Sequence, residues 1–114
     1  MPESERGQVG ANALEEVQES LQDWIDVFAL CADATRMKIL IAMHAAPLSS
    51  VTQLADAAQL GANTVTQSLA TLRKAGVVQV QRDGKYRRWE LVHPGVHQLL
   101  HQMDAPHSHL HPEH

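Results

Sequence analysis

Apolar positions recur along most of the chain with a helical period, and the places where the period breaks mark the elements. Residues 1–11 (MPESERGQVGA) carry no such pattern; they are polar with two glycines and are expected to be disordered. From Asn12 onward, Leu14, Val17, Leu21, Trp24, Ile25 and Phe28 return every three or four residues, predicting a long amphipathic helix to about Leu30. Asp33 then stands as N-cap of a second helix, with Met37, Leu40, Ile41 and His44 on neighbouring turns and Pro47 beyond its end. Ser50-Val-Thr-Gln53 reads as a capping box, in which the serine hydroxyl and glutamine amide satisfy free N–H groups at a helix start. Val51, Leu54, Ala55 and Ala58 form the buried face of the short third helix behind it.

Leu60-Gly61-Ala62 is a turn, and Asn63 is the expected N-cap of a fourth helix striped by Val65, Leu69 and Leu72. Gly76 suits a left-handed terminator. The β-rich runs Val77–Gln81 and Tyr86–Val92 flank Arg82-Asp83-Gly84-Lys85, and Asp-Gly is a strong hairpin signal. Pro94 fits the first position of a last helix, striped by Val96, Leu99, Leu100 and Met103. The predicted fold is mainly α (α+β): four helices, a two-stranded hairpin and a fifth helix, the order of a winged helix-turn-helix.

Charge supports that reading once its distribution is considered. The total is acidic, with 9 Lys+Arg against 13 Asp+Glu, a formal charge of −4. Yet residues 62–92 hold Arg73, Lys74, Arg82, Lys85, Arg87 and Arg88 against only Asp83 and Glu90. The basic charge is concentrated where a nucleic-acid contact needs it. Asn63, Thr64, Thr66, Gln67 and Ser68 are short hydrogen-bonding side chains suited to base edges and phosphates in a major groove. Ser50 opens a helix whose free N–H groups can face phosphate. The DNA-contact set is therefore Ser50, Asn63, Thr64, Thr66, Gln67, Ser68, Arg73, Lys74, Arg82, Lys85, Arg87 and Arg88.

The 114-residue length predicts one domain, residues 12–104, between the N-terminal segment and a flexible His-rich tail at 105–114. A chain this small buries only roughly two-thirds of its surface, so a homodimer is expected. The single cysteine, Cys31, excludes an internal disulfide framework and a CxxC zinc site. No apolar run is long enough for a membrane span and no leader opens the chain, which together point to the cytoplasm. No glycine-rich phosphate loop or HExxH motif is present, and an enzyme is not expected.

Phe28-Ala-Leu-Cys-Ala-Asp-Ala-Thr-Arg-Met-Lys-Ile-Leu40 resembles the F-x-x-L-A-D-x-T-R-x-x-I-L signature of ArsR/SmtB repressors. Val51–Ala55, Val65–Val77 and Arg82-Asp-Gly84 resemble the rest of that family's winged helix, and the likeness spans roughly residues 14–104. It implies a homodimer on a palindromic double-stranded operator, generally released by metal. Cys31 falls where the pattern has leucine, and reads as a small core hydrophobe. Ser68 stands where many members have histidine, and Ser49-Ser50-Val51-Thr52 replaces the cysteines of thiolate sensors. The family's last-helix site would fall on His93, Gly95, Pro106 and His109, of which two cannot ligate.

Histidine offers a shifted set. Of eight histidines, seven lie between positions 93 and 114. His97, His101 and Asp104 fall within a roughly 60° arc of the last helix, with His93 near its edge. In an extended tail His107, His109 and His111 alternate onto one side. The candidate metal ligands are therefore His93, His97, His101, Asp104, His107, His109 and His111. Imidazole and carboxylate without thiolate suit Ni(II), Co(II) or Zn(II). The His-rich end resembles nickel-responsive members of the family, which puts Ni(II) first. Binding needs neutral imidazole, so affinity is expected to fall below about pH 6.5.

The expected function is a metal-responsive, DNA-binding transcriptional repressor. Two rivals stay open: a winged-helix regulator that senses no metal itself or needs a partner protein, and a His-rich metal-trafficking or storage protein.

Overall fold

A computed structural model describes residues 3–108. Its elements are α1 (Glu3–Cys31), α2 (Ala34–Ala45), α3 (Val51–Ala58), α4 (Ala62–Lys74), β1 (Val78–Asp83), β2 (Tyr86–Leu91) and α5 (Pro94–Gln102). The predicted order is therefore found, with several boundaries moved: β1 runs on to Asp83, β2 ends at Leu91, α5 stops at Gln102, and two helix starts shift. Helix α1 begins at Glu3, so residues 3–11 extend the helix where irregular chain was expected. Gly7 and Gly10 lower propensity there, but no proline interrupts the turn-by-turn propagation outward from the packed end. Helix α4 starts two residues earlier than predicted, with Gly61 as N-cap and no side-chain capping bond; Asn63 is inside the helix.

The other signals act locally as expected. Asp33 Oδ1 accepts the Arg36 N–H at 2.9 Å, starting α2. Ser50 and Gln53 close the reciprocal capping box of α3. Gly76 and Gly84 take left-handed φ of 76° and 60° at the end of α4 and the tip of the hairpin. Strands β1 and β2 pair antiparallel from Val78↔Leu91 to Asp83↔Tyr86.

One core unites these pieces. Ile39, Leu40 and Met43 of α2 are fully buried with Leu54 of α3, Val65, Leu69 and Leu72 of α4, Val77, and Val96 and Leu100 of α5. Among the described residues of helix α1 only Val27 and Cys31 are buried in it, with Leu30 partly buried against it. Its apolar stripe, including Leu14, Val17, Leu21, Trp24, Ile25 and Phe28, is exposed. The loop after α2 joins the sheet: Leu48 N–H donates to Trp89 O and Trp89 N–H to Ser49 O, both at 2.9 Å. Thus the end of α2, the start of α3 and the wing are tied by backbone bonds.

Candidate metal centre and nucleic-acid interface

Helix α4 divides its residues by face. Val65, Leu69 and Leu72 point into the core, leaving Asn63, Thr64, Thr66 and Gln67 exposed and Ser68 half-buried. Among the described residues no hydrogen bond to the chain occupies those five side chains, so their donors and acceptors face outward unspent. The hydroxyl of Ser50 already accepts the Gln53 N–H in its capping box, which leaves it a donor for phosphate.

The hairpin register sorts the basic residues. Arg82 pairs with Arg87 and lies on the same sheet face as Val80 and Trp89, whereas Arg88 lies on the opposite face with Gln81 and Glu90. Arg87 accordingly borders a cleft of about 400 Å³ with Thr66, Arg73 and Lys74 of α4. It also borders a second cleft, about 430 Å³, with Ser50, Thr52 and Lys85 at the start of α3. Arg88 is committed within the wing, pairing with Asp83 at 3.1 Å and lying over the Tyr86 ring. The structure therefore brings Ser50, Thr66, Arg73, Lys74, Lys85 and Arg87 around two adjoining basic clefts. These clefts, one between α4 and the wing and the other between the start of α3 and the wing, are suited to a polyanion backbone.

A second constellation lies at the far end of α2. His97 and His101 stand one turn apart on α5, with Nε2 atoms 2.8 Å apart. His107 returns to α2 and places its Nε2 2.9 Å from that of His44. One nitrogen from each of His44, His97, His101 and His107 lies within 4.8 Å of all the others. His44 is buried, at 1% exposure, and its ring packs against the other three imidazoles.

The chain reversal that returns His107 has a local cause. After α5, Asp104 adopts a left-handed φ of 58°, its N–H donating to His101 O and the next N–H, of Ala105, to Leu100 O. This is a Schellman ending, with Pro106 just beyond it. Ser108 then anchors the segment, its hydroxyl donating to Ala45 O at 2.6 Å.

Sequence and structure part company over some candidate ligands. His97, His101 and His107 are brought together. Asp104 is an exposed turn residue outside the cluster. His93 lies apart as the N-cap of α5, its Nδ1 accepting the Val96 N–H and its ring edge-on to Trp24. A Cβ at Gly95 would sit 2.5 Å from the Trp24 ring, so an indole fills the space of any side chain at that position. His109 and His111 lie outside the described residues. His44 joins the cluster without having been among the predicted candidates; the available signal was an imidazole on an otherwise apolar helix face. Cys31 is buried in the core and outside the cluster: burial pushes its thiol up, against the opposing pull of Arg36.

Helix-turn-helix plus a two-stranded wing defines the class, a winged-helix protein. Residues 33–80 match the family profile described as bacterial regulatory protein, arsR family. The HTH-type transcriptional regulator KmtR of Mycobacterium tuberculosis is 37% identical over 76 residues, which are 67% of this chain and 58% of that protein. A predicted DNA-binding transcriptional regulator from E. coli shares the fold with TM-score 0.74 and 22% identity, covering 80% of this chain and 96% of that one. A homodimeric winged helix-turn-helix DNA-binding domain from Mycobacterium bovis gives TM-score 0.66 and 21% identity, covering 76% and 80%. Residues 33–80 thus carry an ArsR-family helix-turn-helix domain, and the chain spans under two-thirds of the KmtR length it matches.

Proposed function

We propose that the protein is a metal-responsive transcriptional repressor that binds a palindromic double-stranded DNA operator as a homodimer in the cytoplasm. The observation that carries this reading is the pairing, on one small domain, of a polar α4 beside basic clefts of the wing with a cluster of imidazoles at α5. In this reading α4 enters the major groove with Asn63, Thr64, Thr66, Gln67 and Ser68, and Arg73, Lys74, Arg82, Lys85, Arg87 and Arg88 hold or frame the flanking backbone.

Dimerisation uses the exposed stripe of α1 together with α5. Seven large apolar side chains of α1 are at least 40% exposed, a surface that a second copy would cover. The homodimeric neighbour from Mycobacterium bovis shares this fold, and residues 12–104 would form the DNA-binding and dimerisation unit.

An imidazole-rich, thiolate-free donor set suits Ni(II), Co(II) or Zn(II). Ni(II) is the first choice as effector, because the His-rich end resembles that of nickel-responsive members of the family. Loading would favour a dimer geometry in which the two α4 helices no longer match successive major grooves. Titrating promoter DNA from the protein's own locus, at two salt concentrations, tests both halves. Salt-sensitive binding that weakens 5–150-fold with metal, a coupling of about 1–3 kcal/mol, is expected. Absence of salt-sensitive binding with and without metal would overturn the DNA reading. An unchanged affinity with all three ions would leave a regulator that is not itself a metal sensor.

A further inference from the structure

We infer that one divalent cation is held per chain, wholly within a single protomer, by His44, His97, His101 and His107. This deepens the metal-responsive reading and rests on it for its biological meaning, but the site is argued from geometry alone. Donors bound at about 2.0–2.1 Å in a four-coordinate site stand ~3.3 Å from one another. The cluster brackets that spacing, with contacts of 2.8 and 2.9 Å and a greatest separation of 4.8 Å, so small ring rotations suffice. Its four ligands come from α2, α5 and the segment after α5 of one chain, so no second copy is needed to complete it.

Among the described residues the cluster has no carboxylate to offset a double positive charge, and the helices supply the compensation. His44 is the penultimate residue of α2, and His101 the penultimate residue of α5. Two helix C-termini, each carrying roughly half a negative charge, therefore converge on the imidazoles. The Ser108–Ala45 bond and the Schellman turn hold His107 in place ahead of binding, which lowers the ordering cost of the fourth ligand.

Such a site gives the cation a route to the reading head inside one chain. It fastens the segment after α5 to the last turn of α2, four residues before Leu48 and five before Ser49, which pair with Trp89 of the wing. His44 is then both a ligand and the first residue of that path.

The test uses DNA-free, full-length protein and three probes, Co(II), Zn(II) and Ni(II), read by equilibrium dialysis and by the ligand-field spectrum of Co(II). One tight ion per chain is expected, with a four-coordinate Co(II) spectrum. His44→Gln and His107→Ala should each weaken binding by more than about tenfold. His107→Ala lies outside the core and keeps the test valid should His44→Gln misfold. Mixed dimers of the two variants separate the topologies. A site within one chain leaves them without a tight ion, whereas a site shared between subunits rebuilds one per dimer. Recovery in the mixture, or unchanged affinity in His107→Ala, overturns the inference. Tight binding as predicted with no effect on DNA affinity would instead overturn the metal-responsive reading and leave the site standing.

Discussion

The two ends of α5 both present histidine, yet they have been put to different uses. At its start, His93 caps the helix through Nδ1 and leans on Trp24, beside a glycine whose missing side chain makes room for the indole. At its end, His97 and His101 meet two imidazoles delivered from elsewhere in the chain. The N-terminal end packs against α1, whereas further along the helix imidazoles gather from three parts of the chain. Ligand potential therefore depends less on how many histidines a segment holds than on whether their second partners come from another element.

Breaking that contrast should give the largest effect at the coordinating end. His97→Ala with His101→Ala should remove tight metal binding altogether, while His93→Asn, which keeps a capping acceptor, should leave affinity within about twofold; dialysis against Co(II) reads both. A second contrast lies in the wing. Arg87→Ala should weaken DNA binding at all sequences and lower the salt slope by roughly 0.9, the signature of one lost phosphate contact. Arg88→Ala, whose guanidinium is spent on Asp83 and Tyr86, should do less to the slope and more to wing stability.

Smaller effects test the packing end. Gly95→Ala forces the Trp24 ring aside and should cost about 1 kcal/mol in urea unfolding, a penalty that Trp24→Ala in the same chain should relieve. Smallest is Asp104→Gly. It removes a side chain from a left-handed backbone position and should change stability by less than about 1 kcal/mol, leaving metal affinity intact. A large loss of metal affinity in that variant would show Asp104 to be a ligand after all.

Much of this was legible along the chain because its causes are local. The Ser50–Gln53 box, the Asp33 cap, the Asp83-Gly84 hairpin and His93-Pro94 at the start of α5 all act within four residues. What was not legible depends on distance or on propagation. His44 and His107 meet across 63 positions, and nothing in either neighbourhood announces the other. Asp104 lies on the same helical arc as His97 and His101, but only if the helix continues; it stops at Gln102, and the left-handed turn takes Asp104 off that face. The extension of α1 to Glu3 depends on propagation from a packed helix rather than on an apolar stripe of its own.

The bridge between Ser49 and Trp89 also bears on how the wing can be exchanged. A lone two-stranded hairpin is marginally stable in water, and here the residues just before α3 add a short third rung to it. A wing transplanted from a relative would arrive without that rung unless residues 47–49 travelled with it. The transferable unit of the wing is thus discontinuous, a hairpin plus a three-residue turn about forty positions upstream of Arg87.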